Sequence, residues 1–205
     1  YLFERMFLLH GESKYIDCME RTLYNGVISG MSMDGGRFFY PNPLSSDGKY
    51  KFNADGNTTR QPWFGCACCP SNLCRFIPSV PGYLYGVKDN NIYVNLFAGN
   101  TSTIKVNGKD VVLEETTEYP WNGDIKIAVK KSGVKNANLL VRIPGWVRNQ
   151  VVPSDLYKYS DAEKPAYSVT VNGKAVEADL DANKGYLPVK NIKKGDVIRI
   201  HFDMP

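Results

Sequence analysis

The 205-residue chain sets 25 Lys and Arg against 21 Asp and Glu, a formal charge of +4, and is 43% hydrophobic with 12% aromatic residues. That is enough to bury a core in one large or two small domains. The charges form no like-signed run that could track a phosphate backbone, so nucleic acid is excluded as an expected partner. No apolar stretch reaches the roughly 18 to 20 residues of a membrane helix, and residues 1–10 lack the layout of a signal peptide, so no membrane partner is expected either.

The chain opens on Tyr1 inside a helical pattern and stops at Met204-Pro205 straight after a strand pattern, so it reads as a piece of a longer protein. Leu2, Phe3, Met6, Phe7 and Leu9 before Gly11 predict the tail of an amphipathic helix with a glycine stop. A second helix is predicted from Ser13, a good N-cap, through Ile16, Met19, Leu23 and Val27 to about Gly30. From Gly35 to about Trp63 the aromatic, Gly- and Pro-rich sequence predicts a short hairpin and a long excursion. A short helix over about Ser71–Ile77, closed by Pro78 and Pro81, follows a cysteine cluster.

Beyond it the pattern is β. Runs at Asn91–Phe97, Thr103–Val106, Asp124–Val129, Leu139–Ile143, Ser168–Val171 and Val197–Phe202 alternate or are β-branched, and Asn107-Gly108 and Asn172-Gly173 are two-residue hairpin signals. A β-sandwich is expected from about residue 82 to 205.

Four of the five cysteines, Cys66, Cys68, Cys69 and Cys74, fall within nine positions in GCACCPSNLCR. Pro70 suits the first position of a helix, which would put Cys69 at or next to the N-cap. Backbone amides and the helix dipole would there favour a thiolate on Cys68 or Cys69, and a thiolate pair is a soft ligand set for zinc. Reduced core cysteines, a disulfide pair and a self-contained zinc knot stay open as other readings. The C-x-C-C-x4-C spacing with no nearby histidine argues against the knot. Cys66, Cys74 and Cys18 read individually as packing residues.

Glu20 falls among Ile16, Leu23 and Val27 on the apolar stripe of the second helix, and a buried carboxylate needs a partner. That partner is either an arginine such as Arg21 or Arg75, or a polar cavity. Tyr40 in RFFYPNPL is a core aromatic or a ligand. His10 and His201 lie far apart and read as structural or surface residues.

With these segments in view, the chain resembles glycoside hydrolase family 127, whose known activity is β-L-arabinofuranosidase. The resemblance rests on ERTLYNGVISG, DGGRFFYPNPL, GCACCPSNLCR and Ile143-Pro144-Gly145-Trp146, in that order, and covers nearly the whole chain. It implies an α+β fold: the last helices of an (α/α)6 barrel over residues 1–81, followed by a β-sandwich over 82–205. It further implies that Cys68 is the catalytic nucleophile and a zinc ligand, that Cys69 is a second zinc ligand, and that Glu20 and Tyr40 contact the sugar. The family's Glu-x-Cys metal motif and its acid/base glutamate lie upstream of the helix with which this chain begins, and no E-x-C occurs here.

The expected function is therefore a fragment of a retaining glycosidase, inactive alone. Zinc belongs to the intact protein and is absent or weakly bound in the fragment. The partner is a carbohydrate substrate, an arabinose-containing glycan; the oligomeric state and the compartment, bacterial cytoplasm or periplasm, are not legible. A non-catalytic carbohydrate-binding or structural β-sandwich is the alternative, with Trp121 and Trp146 as candidate stacking residues. Exposed coplanar aromatics would favour binding, and buried ones a structural role.

Overall fold

The computed structural model describes residues 1–43, 45–152, 154–160 and 166–204; Leu44, the end of the aromatic hairpin motif, and the terminal Pro205 lie outside them. The fold is mixed α+β, with two sheets and few helices. Two compact units divide it, Tyr1–Cys18 with Tyr83–Pro205 and, between them in sequence, Met19–Gly82.

In the first unit, helix α1 (Leu2–His10) ends where Gly11 turns left-handed at φ 65° and returns its N–H to the Phe7 carbonyl at 2.7 Å. Helix α2 (Ser13–Arg21) starts at the predicted Ser13. That serine is buried, and its hydroxyl accepts a hydrogen bond from Arg148 at 3.1 Å.

Among the described residues, ten strands build two sheets. A four-stranded sheet has the order β1 (Tyr85–Lys88), β2 (Asn91–Val94), β6 (Asn138–Arg142), β9 (Tyr186–Val189), with β2 and β6 parallel. A six-stranded antiparallel sheet has the order β3 (Asn100–Val106), β4 (Lys109–Thr117), β5 (Asp124–Ser132), β10 (Val197–Phe202), β7 (Tyr167–Val171), β8 (Lys174–Ala175). Asn107 and Gly108 both take positive φ between β3 and β4, as do Asn172 and Gly173 between β7 and β8, the geometry that a tight hairpin matching the strand twist requires.

Alternate residues of both sheets meet in one core that includes Ile92, Val94, Leu113, Ile127, Leu139, Ile198 and Phe202. Each such side chain taken from water contributes roughly 1.5–3 kcal/mol. Two polar knots sit inside it. The guanidinium of Arg142, with no exposed surface, donates from Nε to the Asn95 carbonyl at 2.5 Å and from Nη1 to Asp17 of α2 at 2.6 Å. Glu115, 2% exposed, accepts from the Tyr85 hydroxyl at 2.9 Å and from the Ala98 N–H at 3.2 Å.

The second unit begins with the last turn of α2. The single helix predicted to Gly30 instead relaxes into a π-helical turn over Thr22–Val27 and a 3₁₀ turn over Ile28–Gly30. Asn25-Gly26 explains the change: both are poor helix formers, and the Asn25 amide takes the Arg21 carbonyl at 3.0 Å, competing for a backbone acceptor. The aromatic excursion then crosses back. Phe38 bridges to Met31 on one side and to Gln61 on the other, with N–H to O distances of 2.8 Å in both directions between Phe38 and Gln61.

Candidate functional site

Helix α3 (Cys68–Phe76) starts at the cysteines themselves, earlier than the predicted Ser71. Ala67 is the N-cap, Cys68 and Cys69 are the first two helical residues and Pro70 the third, whereas the sequence placed Pro70 first and Cys69 at the cap. Pro70 is tolerated there because the first intrahelical bond runs from the Ser71 N–H to the Ala67 carbonyl at 3.0 Å, so the missing proline N–H falls among the donors that have no intrahelical acceptor. The first-turn amides, and with them the positive end of the helix dipole, lie beside the vicinal pair.

Tyr40 reaches this turn from the excursion. Its N–H donates to Oδ1 of the buried Asn53 at 2.8 Å, and Asn53 is itself held by the Thr59 carbonyl at 2.8 Å. The Tyr40 ring stands edge-on to buried Phe64 at 5.6 Å between centroids. So braced, its hydroxyl lies 3.0 Å from the Cys68 sulfur and 3.8 Å from that of Cys66, while the Cys68 and Cys69 sulfurs are 3.8 Å apart.

The electrostatics divide the pair. The Tyr40 hydroxyl, followed by the Cys69 side chain, holds the Cys68 thiol below its usual range. Burial, then the Cys68 sulfur, pushes the Cys69 thiol up. The same contacts push the Tyr40 phenol up, Cys68 first and then Cys66. The structure therefore brings together Cys68, Cys69 and Tyr40. Glu20 lies in the last turn of α2, 7% exposed, in the same unit.

Cys66 and Cys74 depart from their expected role as packing residues, for both are exposed. Cys66 joins the site through Tyr40. Asn53 and Phe64, which position Tyr40, carried no signal in the sequence, because their partners are fixed only by the return of the excursion. His10 and His201 are exposed, and His201 sits between Asp124 at 2.7 Å and Asp203 at 3.0 Å. Trp146 is half-buried, edge-on to Phe202 at 5.9 Å, while Trp121 is 89% exposed.

The two cysteines suit zinc by their spacing. A tetrahedral centre with Zn–S near 2.3 Å places two sulfurs about 3.8 Å apart, which is the Cys68–Cys69 separation. Among the described residues no group of three or more His, Cys, Asp and Glu forms a metal cage.

The chain matches two family descriptions: the β-L-arabinofuranosidase GH127 catalytic domain over residues 1–82 and the GH127 middle domain over residues 91–204. It is 30% identical, over 98% of its length and 28% of the relative's, to a non-reducing end β-L-arabinofuranosidase of Bifidobacterium longum subsp. longum. A solved GH127 β-arabinofuranosidase superposes with a TM-score of 0.90 at 56% identity over 99% of this chain and 30% of that one. The GH127 β-L-arabinofuranosidase Ara127N of Geobacillus stearothermophilus T6 does so with 0.78 at 35% identity over the same shares. The chain thus spans less than a third of the length of these relatives. With both family descriptions matched in order along its length, the chain belongs to glycoside hydrolase family 127.

Proposed function

We propose that this chain is part of a retaining glycoside hydrolase acting on β-L-arabinofuranosides, with Cys68 as the nucleophile. In this reading residues 1–81 belong to the end of an (α/α)6 catalytic barrel and residues 82–205 form a β-sandwich. The observation that carries it is the Tyr40 hydroxyl 3.0 Å from a Cys68 sulfur set on the first turn of α3. A phenol that donates to sulfur, together with first-turn amides, stabilises the thiolate, the form that attacks carbon.

The Cys68 thiolate attacks the anomeric carbon, the glycosidic C–O bond breaks, and a thioglycosyl intermediate forms on the cysteine. The leaving oxygen takes a proton from a carboxylic acid, and the same group as its carboxylate then activates water to cleave the C–S bond. That acid is supplied by the longer protein. Tyr40 releases its hydrogen bond as the sulfur loses charge, leaving its hydroxyl free for a sugar oxygen. Glu20 accepts hydrogen bonds from sugar hydroxyls.

Cys68 and Cys69 would supply two of the four ligands of a closed zinc site, the others coming from the longer protein. Bound zinc keeps a coordinating thiol deprotonated at neutral pH. The 205-residue chain alone is inactive in this reading.

The test is hydrolysis of an aryl β-L-arabinofuranoside by the longer protein. Cys68→Ser should abolish turnover and Cys69→Ser should reduce it. Undiminished turnover by Cys68→Ser would rule out the assignment.

A further inference from the structure

A polar cleft lies on the outward face of the six-stranded sheet. It has a volume of about 510 Å³, within the roughly 300–1,000 Å³ of clefts that take small ligands. The register defines its floor. Thr116 of β4 lies opposite Lys126 of β5, Lys126 opposite Arg199 of β10, and Arg199 opposite Thr170 of β7. The four side chains form one straight row across four strands, about 14 Å at a spacing near 4.8 Å per strand. The next row along the strands is Asp124, His201 and Ser168.

Two like charges directly opposite one another on adjacent strands destabilise a sheet unless something neutralises them. Elsewhere on this sheet the chain provides that neutralisation. Lys105 and Lys131 both pair with Asp110, and Lys130 pairs with Glu114. Lys126 and Arg199 take part in no ion pair or side-chain hydrogen bond among the described residues. The carboxylate next to them, Asp124, is held by His201 at 2.7 Å, and the other nearby acid, Asp203, by the same ring at 3.0 Å. The patch thus keeps its acids occupied and leaves two adjacent cations open, with hydroxyls at both ends of their row.

From this arrangement we infer that the outward face of β4, β5, β10 and β7 binds an acidic saccharide. A carboxylate of the sugar sits between Lys126 and Arg199, and its hydroxyls meet Thr116, Thr170 and Ser168. A guanidinium takes a planar carboxylate through two parallel hydrogen bonds, and the neighbouring ammonium adds a point charge. Two cations flanked by carboxylates suit a single negative charge among hydroxyls, not the dense charge of a nucleic acid. Trp121, 89% exposed, lies on the loop that leads into Asp124, whose N–H that loop fixes through Asn122 at 3.0 Å. An indole so exposed is an apolar face on which a sugar ring can stack.

The choice of a saccharide over other anions rests on the glycoside hydrolase reading; the cation pair does not. The test therefore reads binding without turnover. The longer protein carrying Cys68→Ser is titrated calorimetrically with a uronic-acid oligosaccharide, with its carboxyl-reduced neutral counterpart, and with inorganic phosphate. The acidic oligosaccharide should bind at least tenfold more tightly than either of the others. Arg199→Ala and Lys126→Ala should each weaken it at least fivefold, and Lys49→Ala, in the other unit, should leave it unchanged. Circular dichroism should show all three variants folded, since these side chains are exposed. Equal binding of the neutral oligosaccharide, equal binding of phosphate, unchanged affinity in Arg199→Ala, or no binding at millimolar concentration would each overturn the inference. A hydrolase reading that failed in the longer protein while this titration succeeded would leave the cleft assignment standing.

Discussion

Replacing Glu115 by Gln should remove a pH dependence of stability that runs opposite to that of most carboxylates. Burial pushes the Glu115 carboxyl up from 4.5 to about 7, while hydrogen bonds from Tyr85, the Ala98 N–H and Asn100 only partly oppose it. The folded state therefore holds this proton more tightly than the unfolded chain does. Its contribution is fully present below about pH 4.5 and is lost as pH rises through about 7. At 1.36 kcal/mol per pH unit, the shift from 4.5 to about 7 corresponds to about 3 kcal/mol. Urea unfolding of wild type and Glu115→Gln at pH 4.5, 6 and 8 measures it, because the difference between the two proteins cancels every other titrating group. The wild type should lose about 3 kcal/mol relative to Glu115→Gln between pH 4.5 and 8. A difference constant to within about 0.5 kcal/mol over that range would refute the burial argument.

Asp17→Ala should destabilise the chain by about 3–5 kcal/mol, since it strands the fully buried Arg142 without its carboxylate, and thermal unfolding checks it. Cys74→Ala, at an exposed position on α3, should change stability by no more than about 0.5 kcal/mol and leave metal content in the longer protein intact, as read by urea unfolding and elemental analysis. Cys69→Ala in the longer protein should lower zinc content below one equivalent. A stoichiometric, chelator-resistant zinc in the 205-residue chain would show instead that the chain holds a complete site.

Much of the β-rich unit was legible because burial alternates there with the pleat. Val197–Phe202 matches β10 residue for residue, and its buried Ile198, Ile200 and Phe202 are the apolar half of that alternation. The strand Tyr186–Val189 was missed because Pro188 reads as a breaker, yet β9 is the edge of its sheet, where a missing N–H is tolerated. The strand Lys109–Thr117 was legible only at its start, through the Asn107-Gly108 hairpin signal, because Glu114-Glu115 interrupts the apolar pattern further on. Glu115 turns inward all the same, since Tyr85 and the Ala98 N–H supply its hydrogen bonds.

In the candidate site the cysteine string itself was visible. The start of α3 at Cys68 was obscured by the habit of reading proline as a first helical residue. The contact between Tyr40 and Cys68, 28 residues apart, depends on Asn53 and Phe64 turning the excursion back. No local pattern encodes such a contact.

The most direct measurement is to trap the intermediate on the longer protein. An arabinofuranoside with a highly activated leaving group is mixed with the enzyme, the reaction is quenched in acid within one turnover, and the peptides are weighed. The peptide containing Cys68 should carry one pentosyl group, absent in Cys68→Ser and in protein without substrate. A pentosyl group on a carboxylate or on Cys66, with Cys68 unmodified, would contradict the assignment of Cys68 as the nucleophile.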